Sequence, residues 1–388
     1  MIKIVLQERA CDICGGKKLE EIWKYSLPVK TRNETFLWEI RNVVCRTCGF
    51  AFVSPAPTDD ALTEYYGDSF SIYPNQVIDY SIPNRLHMIE KYIPSIGSPQ
   101  KTYLEVGSNN CTEFLTSVSK LFDVVLTVDP NDSCTSTCGS LKHAQCQRAD
   151  IICSYFVLEH VPNPKEFLSL SHNILKDGGI LIIEVPNLHG YPKDPSGLFV
   201  HEHVNHFSPQ SLTALANTCG LDLLEISFNF CSRTFGFVAV FEKSTSTNVP
   251  SLPVNPAEVA YSRACMQETA MTIQTFQKKV LSTREKISTI SGQTQGLVIL
   301  WAANAICSML LEGYQLPQST VIIDSDPRKK DYLSPLKVHQ PMEALNQIAR
   351  ATFLIINTRR HAKDILSWIE SHVNRRFSEQ EILILDYL

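Results

Sequence analysis

From Leu104 the chain reads Leu104-Glu105-Val106-Gly107-Ser108-Asn109-Asn110, an apolar run that breaks into a glycine loop, and this stretch limits the available folds more than any other. A segment with helical spacing, Glu113 to Leu121, follows the loop, and a second apolar run, Val124 to Val128, ends on Asp129. Strand, loop, helix and strand in that order predict a parallel crossover unit. The acid lies roughly 20 residues past the loop, where a nucleoside-binding fold offers a carboxylate to ribose hydroxyls. Gly107 is the point at which backbone can approach such a ligand, because nothing projects from its α-carbon. Such loops often carry two or three glycines, and Cys111 stands where another would be.

Further pieces follow in order: Asp150-Ile151-Ile152, then Val157-Leu158-Glu159-His160-Val161-Pro162, then Leu175-Lys176-Asp177-Gly178-Gly179 and the apolar run from Ile180 to Val185 that leads to Asn187. With the Glu105 to Gly107 loop and Asp129, this set resembles the class I S-adenosylmethionine-dependent methyltransferases over about half of the chain. The resemblance implies S-adenosylmethionine as cofactor, with Glu105, Gly107, Asn109, Asp129, Phe156 and Leu158 as the residues that hold it. The interval from Asp129 to Asp150 is short for that family, leaving little room for the strand and loop that usually enclose the adenine. It holds Cys134, Cys138, His143 and Cys146 instead, as buried thiols or a second metal knot.

A chain of 388 residues exceeds one ordinary core, so two or three domains are expected. The formal net charge of −5 comes with no dense Lys/Arg block, which argues against nucleic acid as a partner. No apolar run approaches the ~20 residues of a membrane helix, and Met1-Ile2-Lys3-Ile4 does not open a signal peptide. The expectation is a cytoplasmic protein with no membrane partner. In a reducing compartment its 13 cysteines serve as thiols and metal ligands rather than disulfides.

Two of those cysteine pairs are Cys11-Asp12-Ile13-Cys14-Gly15 and Cys45-Arg46-Thr47-Cys48-Gly49, each closed by a glycine that lets a tight turn aim both thiolates at one point. Cys11, Cys14, Cys45 and Cys48 at this spacing suit a tetrahedral, structural Zn²⁺ that would hold together a segment too small to bury a core. Two unrelated pairs, or a redox C-x-x-C, is the other reading. Between the knuckles, Glu20 to Tyr25 and Thr35 to Val44 read as strands of a zinc ribbon. Pro55, Pro57 and the cap Thr58-Asp59-Asp60 mark its end. Tyr65, Tyr66, Tyr73, Tyr80 and Tyr92 follow, lining a substrate cleft or packing at a domain seam.

A cysteine-ligated module, a methyltransferase core and a further α/β domain is the layout of the nucleotide-sugar C-methyltransferases that make branched deoxysugars, and the chain is similar to that family. The family carries its acid and base in an H-E-H stretch leading to Y-F-S; here His201, Glu202, His203, Phe207 and Ser208 match, while Val200 and His206 stand where tyrosines are usual. Methylating carbon requires removal of a proton beside a carbonyl, hence a base of moderate pKa and polar groups on the developing enolate oxygen. The resemblance implies His203 as base, Glu202 as its orienting partner, and His160 or Tyr73 near the ketone. His201, His206, Asn187 and Arg359 are the expected substrate contacts. Glu159-His160 can also be a strand-end pair packed beside the cofactor, and His201, Glu202, His203 and His206 can also be read as a surface loop or as metal-ligand types.

Past Phe241 a polar, proline-containing run reads as a linker. A helix from Ala257 to about Ile290 follows, with Val259, Met266, Ile273, Val280 and Ile287 spaced by seven in a stripe that needs an apolar partner. Leu297 to Trp301, Val321 to Asp324 and Phe353 to Asn357, with a helical stretch around Ile306 to Leu311, predict a second parallel α/β pattern. Its first loop, Trp301 to Ala305, has no glycine; Arg328, Lys329, Arg359, Arg360 and His361 fall near strand ends, facing a diphosphate or solvent.

The expected architecture is therefore a zinc-binding module over residues 1–58, a class I methyltransferase doubly wound sheet over 59–243, a linker over 244–256, and over 257–388 the long helix with a Rossmann-like domain. The expected activity is transfer of a methyl group from S-adenosylmethionine to the carbon beside the ketone of a nucleotide-linked 4-keto-deoxysugar, by a monomer or homodimer. Methylation of an oxygen or nitrogen of a small natural product, or a non-catalytic scaffold that keeps the fold, are the alternatives.

Overall fold

The computed structural model of the chain describes residues 5–30, 35–69, 82–108, 112–130, 135–145, 147–193, 195, 202–229, 236–244, 255–292, 296–304, 307, 310–311, 314–330, 333, 336–359 and 361–385. Two compact units divide it, Met1–Ala270 and Met271–Leu388.

The first unit opens with β1 (Leu6–Gln7), the long hairpin β2 (Leu19–Lys30) and β3 (Thr35–Cys45), then β4 (Ala51–Val53) and β5 (Ala56–Pro57). The hairpin arms pair antiparallel from Leu19↔Cys45 to Lys30↔Thr35, so the ribbon strands run further than the sequence spacing predicts. Helices α1 (Asp59–Ser69) and α2 (Ile82–Tyr92) follow; the Thr58 hydroxyl accepts from the Ala61 N–H, as a cap should.

The central sheet is built by β6 (Thr102–Val106), β7 (Val124–Val128), β8 (Ala149–Tyr155) and β9 (Leu175–Pro186), with α3 (Thr112–Val118) and α4 (Pro164–Ile174) as crossovers. After a two-residue strand β10 (Asn205–His206) and α5 (Pro209–Asn217), β11 (Leu221–Ser227) and β12 (Gly236–Lys243) return antiparallel, giving six strands in the order β11-β12-β9-β8-β6-β7. Alternate residues face opposite ways along a strand. Leu104, Val106, Ile152, Leu181 and Ile183 therefore pack on the side that carries α4 and α5, and Tyr103, Ile151, Cys153, Ile180 and Ile182 on the side that carries α2 and α3. Helices on both faces make the doubly wound sheet of the class I methyltransferase fold.

Among the described residues the sheet stops at β7. Where a further strand would extend it, residues 135–145 make only a single bridge, Val128↔Cys138, as the short Asp129 to Asp150 interval implies. Cys134 and Cys146 lie outside the described residues, and among those described no group of metal-ligand types gathers there.

Phe50, Phe52, Val43 and Cys11 of the cysteine module belong to the same apolar cluster as Leu104 and Phe207. The module thus shares the core of the sheet. A fully buried side chain of this size stabilises by about 1.5–3 kcal/mol over an exposed one, so the shared cluster is worth far more than a surface contact.

Helix α6 (Pro256–Gly292) begins in the first unit and ends in the second, and Met266, Ile273, Val280 and Ile287 of the seven-residue stripe are all buried. In the second unit, β13 (Val298–Trp301), β14 (Thr320–Ile323), β15 (Val338–His339), β16 (Phe353–Ile356) and β17 (Ile382–Ile384) form a sheet in the order β15-β14-β13-β16-β17, every pair parallel. Val298, Leu300, Ile322 and Phe353 pack on one face with Phe276, Val280 and Ile287; Ile299, Ile323 and Leu354 pack on the other with α7 (Leu345–Arg350) and α8 (Ala362–Val373). This is the Rossmann-like pattern. The helix expected around Ile306 lies in part outside the described residues. Among the described residues no helix is long and apolar enough to cross a membrane.

Candidate active site and cysteine centre

The four sulfurs of Cys11, Cys14, Cys45 and Cys48 all lie within 4.8 Å of one another, with Cys11 to Cys48 at 3.3 Å and Cys14 to Cys45 at 3.6 Å. Each knuckle turns through a backbone bond to its first cysteine, Gly15 N–H to Cys11 O at 2.8 Å and Gly49 N–H to Cys45 O at 2.9 Å. Gly49 has a φ of +80° and sits against α6, where a β-carbon would come within 2.8 Å of the Val259 α-carbon. The Cys11 and Cys48 thiols donate to Cys45, which holds Cys45 below the ordinary thiol range and its two partners above it. Four sulfurs gathered in this way suit a tetrahedral ion: sulfurs at ~2.3 Å from Zn²⁺ stand roughly 3.8 Å apart, close to the spacing here.

The loop expected to hold a cofactor follows β6. Gly107 adopts a φ of +78° and donates its N–H to Val128 O at 2.7 Å, and a β-carbon there would lie 2.3 Å from Val157 Cγ2. Only glycine fits both demands. Glu105, just before the loop, is buried and accepts from the Tyr103 hydroxyl at 3.2 Å; Asp129, at the tip of β7, is 7% exposed. Phe156, after β8, is a non-glycine residue at a φ of +56°, a conformation that clusters at functional sites. Its N–H donates to Glu184 O, and the fully buried Glu184 carboxylate is paired with Arg85 at 3.0 Å, whose guanidinium stacks over Tyr155. Leu158 is wholly buried in the apolar cluster, so what it offers is backbone. Asn109 lies outside the described residues.

Glu159 and His160 sit in the turn beyond β8, at the carboxyl end of the sheet, where open α/β sheets bind their ligands. Across from them runs the segment Glu202 to His206. The His160 and His203 rings meet edge to face with centroids 4.8 Å apart, and His160 Nδ1 lies 3.1 Å from the Glu202 backbone oxygen. A carbonyl only accepts, so Nδ1 carries the proton and Nε2 is turned to Glu159 Oε1, 3.8 Å away. Glu159, His160 and His203 bring their ligand-type atoms within 4.8 Å of one another, a group able to hold a proton or other cation. The Glu202 carboxylate accepts from the Tyr65 hydroxyl at 3.0 Å, and Tyr66 sets its ring against His160. The chain thus gathers Tyr65, Tyr66, Glu159, His160, Glu202 and His203. Tyr65 came out of the sequence only as one of several tyrosines.

The remaining candidates are dispersed. His206 is 1% exposed; it stands 2.8 Å from Asn42 Oδ1 through Nε2 and 3.2 Å from the Tyr191 hydroxyl through Nδ1, and burial, with Arg9 nearby, pushes its pKa down to about 3. Asn187 caps the turn at Leu188, accepting from His189 N–H at 3.0 Å. Arg359 follows β16 in the second unit. Tyr73 and His201 lie outside the described residues. Asn205, singled out by no motif, is completely buried between the two histidine-bearing segments.

Residues 84–226 match the profile of a family described as "Methyltransferase domain". Over this stretch the chain is similar to that family, and the likeness supports methyl transfer as its chemistry. No curated protein matches the chain. Among solved structures, the chain is similar to 1,6-didemethyltoxoflavin-N1-methyltransferase from Burkholderia thailandensis, with 13% identity over 50% of this chain and 96% of that one and a TM-score of 0.35. It is also similar to an S-adenosylmethionine-dependent methyltransferase from Clostridium acetobutylicum, with 12% identity over 43% and 93% and a TM-score of 0.34. The CcbJ methyltransferase from Streptomyces caelestis gives 12% identity over 44% and 99% and a TM-score of 0.33.

Proposed function

We propose that the protein methylates the carbon beside the ketone of a nucleotide-linked 4-keto-deoxysugar, with His203 as the base that forms the enolate. The observation that carries this reading is the meeting of His203 with His160 at the carboxyl end of β8, beside a Glu202 carboxylate tied to Tyr65. S-adenosylmethionine would supply the electrophilic methyl group, held by the Gly107 loop with Asp129 and Glu105. His203 would take the proton from the substrate carbon. Glu202 would orient that imidazole, with Tyr65 fixing the carboxylate in turn, and His160, through Nε2 in its protonated form, or Tyr73 would hydrogen-bond the ketone oxygen as charge builds on it.

His201 and Asn187 are the remaining substrate contacts of this reading; His206, enclosed between Asn42 and Tyr191, is not one of them. Zn²⁺ on Cys11, Cys14, Cys45 and Cys48 would keep the module folded as a structural ion that binds no substrate. A cytoplasmic location suits four reduced thiols.

The test is solvent exchange. In D₂O with S-adenosylhomocysteine and a panel of 4-keto-6-deoxysugar nucleotides, the wild-type protein should place deuterium on the carbon beside the ketone, and His203→Ala should not. A methylated oxygen or nitrogen, formed with no exchange at carbon, would overturn the assignment.

A further inference from the structure

The two histidine-bearing segments are far apart in sequence, and one side chain joins them. Asn205 Nδ2 donates to Leu158 O at 3.0 Å and to Val161 O at 2.7 Å, the carbonyls on either side of Glu159-His160. Its Oδ1 accepts from Arg9 NH2 at 2.8 Å. Carbonyls only accept and a guanidinium only donates, so the amide has one possible orientation. The Val204 N–H adds a bond to Glu159 O at 2.8 Å, and on its other side Val204 O accepts from Val53 N–H at 2.9 Å, continuing the pairing of β10 with β4. Arg9, over the Phe52 ring, also reaches Val204 O at 3.2 Å and Asp12 at 2.7 Å. Asp12 lies between Cys11 and Cys14.

We propose that Asn205 and Arg9 are positioning residues for the His160–His203 pair: Asn205 fastens the strand carrying His203 to the turn carrying His160, and Arg9 ties that fastening to the first cysteine knuckle. The proposal rests on the reading of these histidines as the proton-handling pair. It adds that the cysteine centre and the spacing of the two imidazoles are energetically coupled. Such a coupling is reciprocal, so a zinc ion on the knuckle would be expected to feel the loss of the Arg9–Asn205 contact.

Two variants separate the halves. Asn205→Asp keeps an acceptor for Arg9 and loses both donations to the turn; Arg9→Gln keeps the fastening and loses the ionic tie to Asp12, with Arg9→Lys as the conservative control. The primary readout is independent of substrate: the ring resonances of His160 and His203, labelled in the metal-loaded full chain and followed against pH. In both variants these two histidines should move and titrate differently, while His87 and His372 stay put. S-adenosylhomocysteine affinity should stay within about twofold of wild type, and zinc should pass to a chromophoric chelator about 5-fold faster or more, in the range of ordinary couplings. Arg9→Lys should fall between Arg9→Gln and wild type. If methyl transfer is the reaction, kcat should fall about tenfold at unchanged KM.

Wild-type histidine titrations and wild-type zinc release in Arg9→Gln would overturn the coupling, and unchanged titrations in a folded Asn205→Asp would overturn the fastening. Should Asn205→Asp fail to fold, the Arg9 variants decide alone. Moved histidines without any methyl transfer would leave this inference standing and sink the catalytic reading instead.

Discussion

The Tyr65 hydroxyl donates to Glu202 Oε1 across 3.0 Å, joining the first helix after the cysteine module to the acidic residue beside His203. A carboxylate that accepts one fixed donor has little freedom to turn. Tyr65→Phe should lower kcat by about tenfold, and Glu202→Gln by about 100-fold, with cofactor affinity unchanged in both. Steady-state rates beside calorimetric titrations check this; wild-type turnover in both variants would remove Glu202 from the chemistry.

Gly107→Ala should weaken cofactor binding sharply in a protein that stays folded. The added methyl meets Val157 Cγ2 at 2.3 Å and the φ of +78° is strained for alanine. Calorimetry should find the S-adenosylmethionine Kd weakened by roughly 100-fold or more, since about 3 kcal/mol of combined clash and strain is a modest sum for such a site. Replacing Val157 by Ala in the same chain should recover only part, because the backbone strain remains. A wild-type Kd for Gly107→Ala would mean that the cofactor sits elsewhere.

His206 predicts how stability depends on pH. Its folded pKa of about 3 is below the ordinary ~6.5, so as pH falls the unfolded chain takes up the proton first. The stability it confers is fully present above about pH 6.5 and is lost as pH falls towards 3, by a few kcal/mol. Denaturant unfolding at pH 7 and pH 4 should show that slope, and His206→Gln should flatten it while starting from a less stable protein. An equally steep slope in His206→Gln would assign the effect to another group.

Cys11→Ser should cost the metal and about 3 kcal/mol or more of stability, because a site preformed by four thiolates contributes its binding energy to folding. Metal analysis and thermal melts on the same samples would read both. A variant that keeps one ion per chain and the wild-type Tm would break the four-thiolate assignment.

Much of this was legible along the sequence, for a physical reason. The strands around Gly107 and Asp129, the knuckles and the α6 stripe are each set by neighbours within a few turns or strand lengths, so spacing alone reveals them. The missing strand beside β7 could be inferred from the short stretch between Asp129 and Asp150. What spacing could not give was partnership across the chain. Arg9 and Asn205 are separated by 196 positions, Tyr65 and Glu202 by 137, and nothing periodic marks either pair. His206 stands in the same motif as His203, yet β10 turns it into an enclosed network with Asn42 and Tyr191. Successive strand positions point to opposite sides, and which side meets a neighbour is decided by a strand more than a hundred residues away.

The ladder between β4 and β10 carries a consequence for insertions. Asn205 pairs with Phe52 and His206 with Ala51, so the cysteine module lends a strand to the segment that bears Glu202 and His203. Neither partner can gain or lose a residue without shifting the other's register. A one-residue insertion in β10 should therefore be tolerated only with a matching change in β4, and the segment from Glu202 to His206 should lose its alignment with Glu159 and His160 when it is parted from the cysteine module.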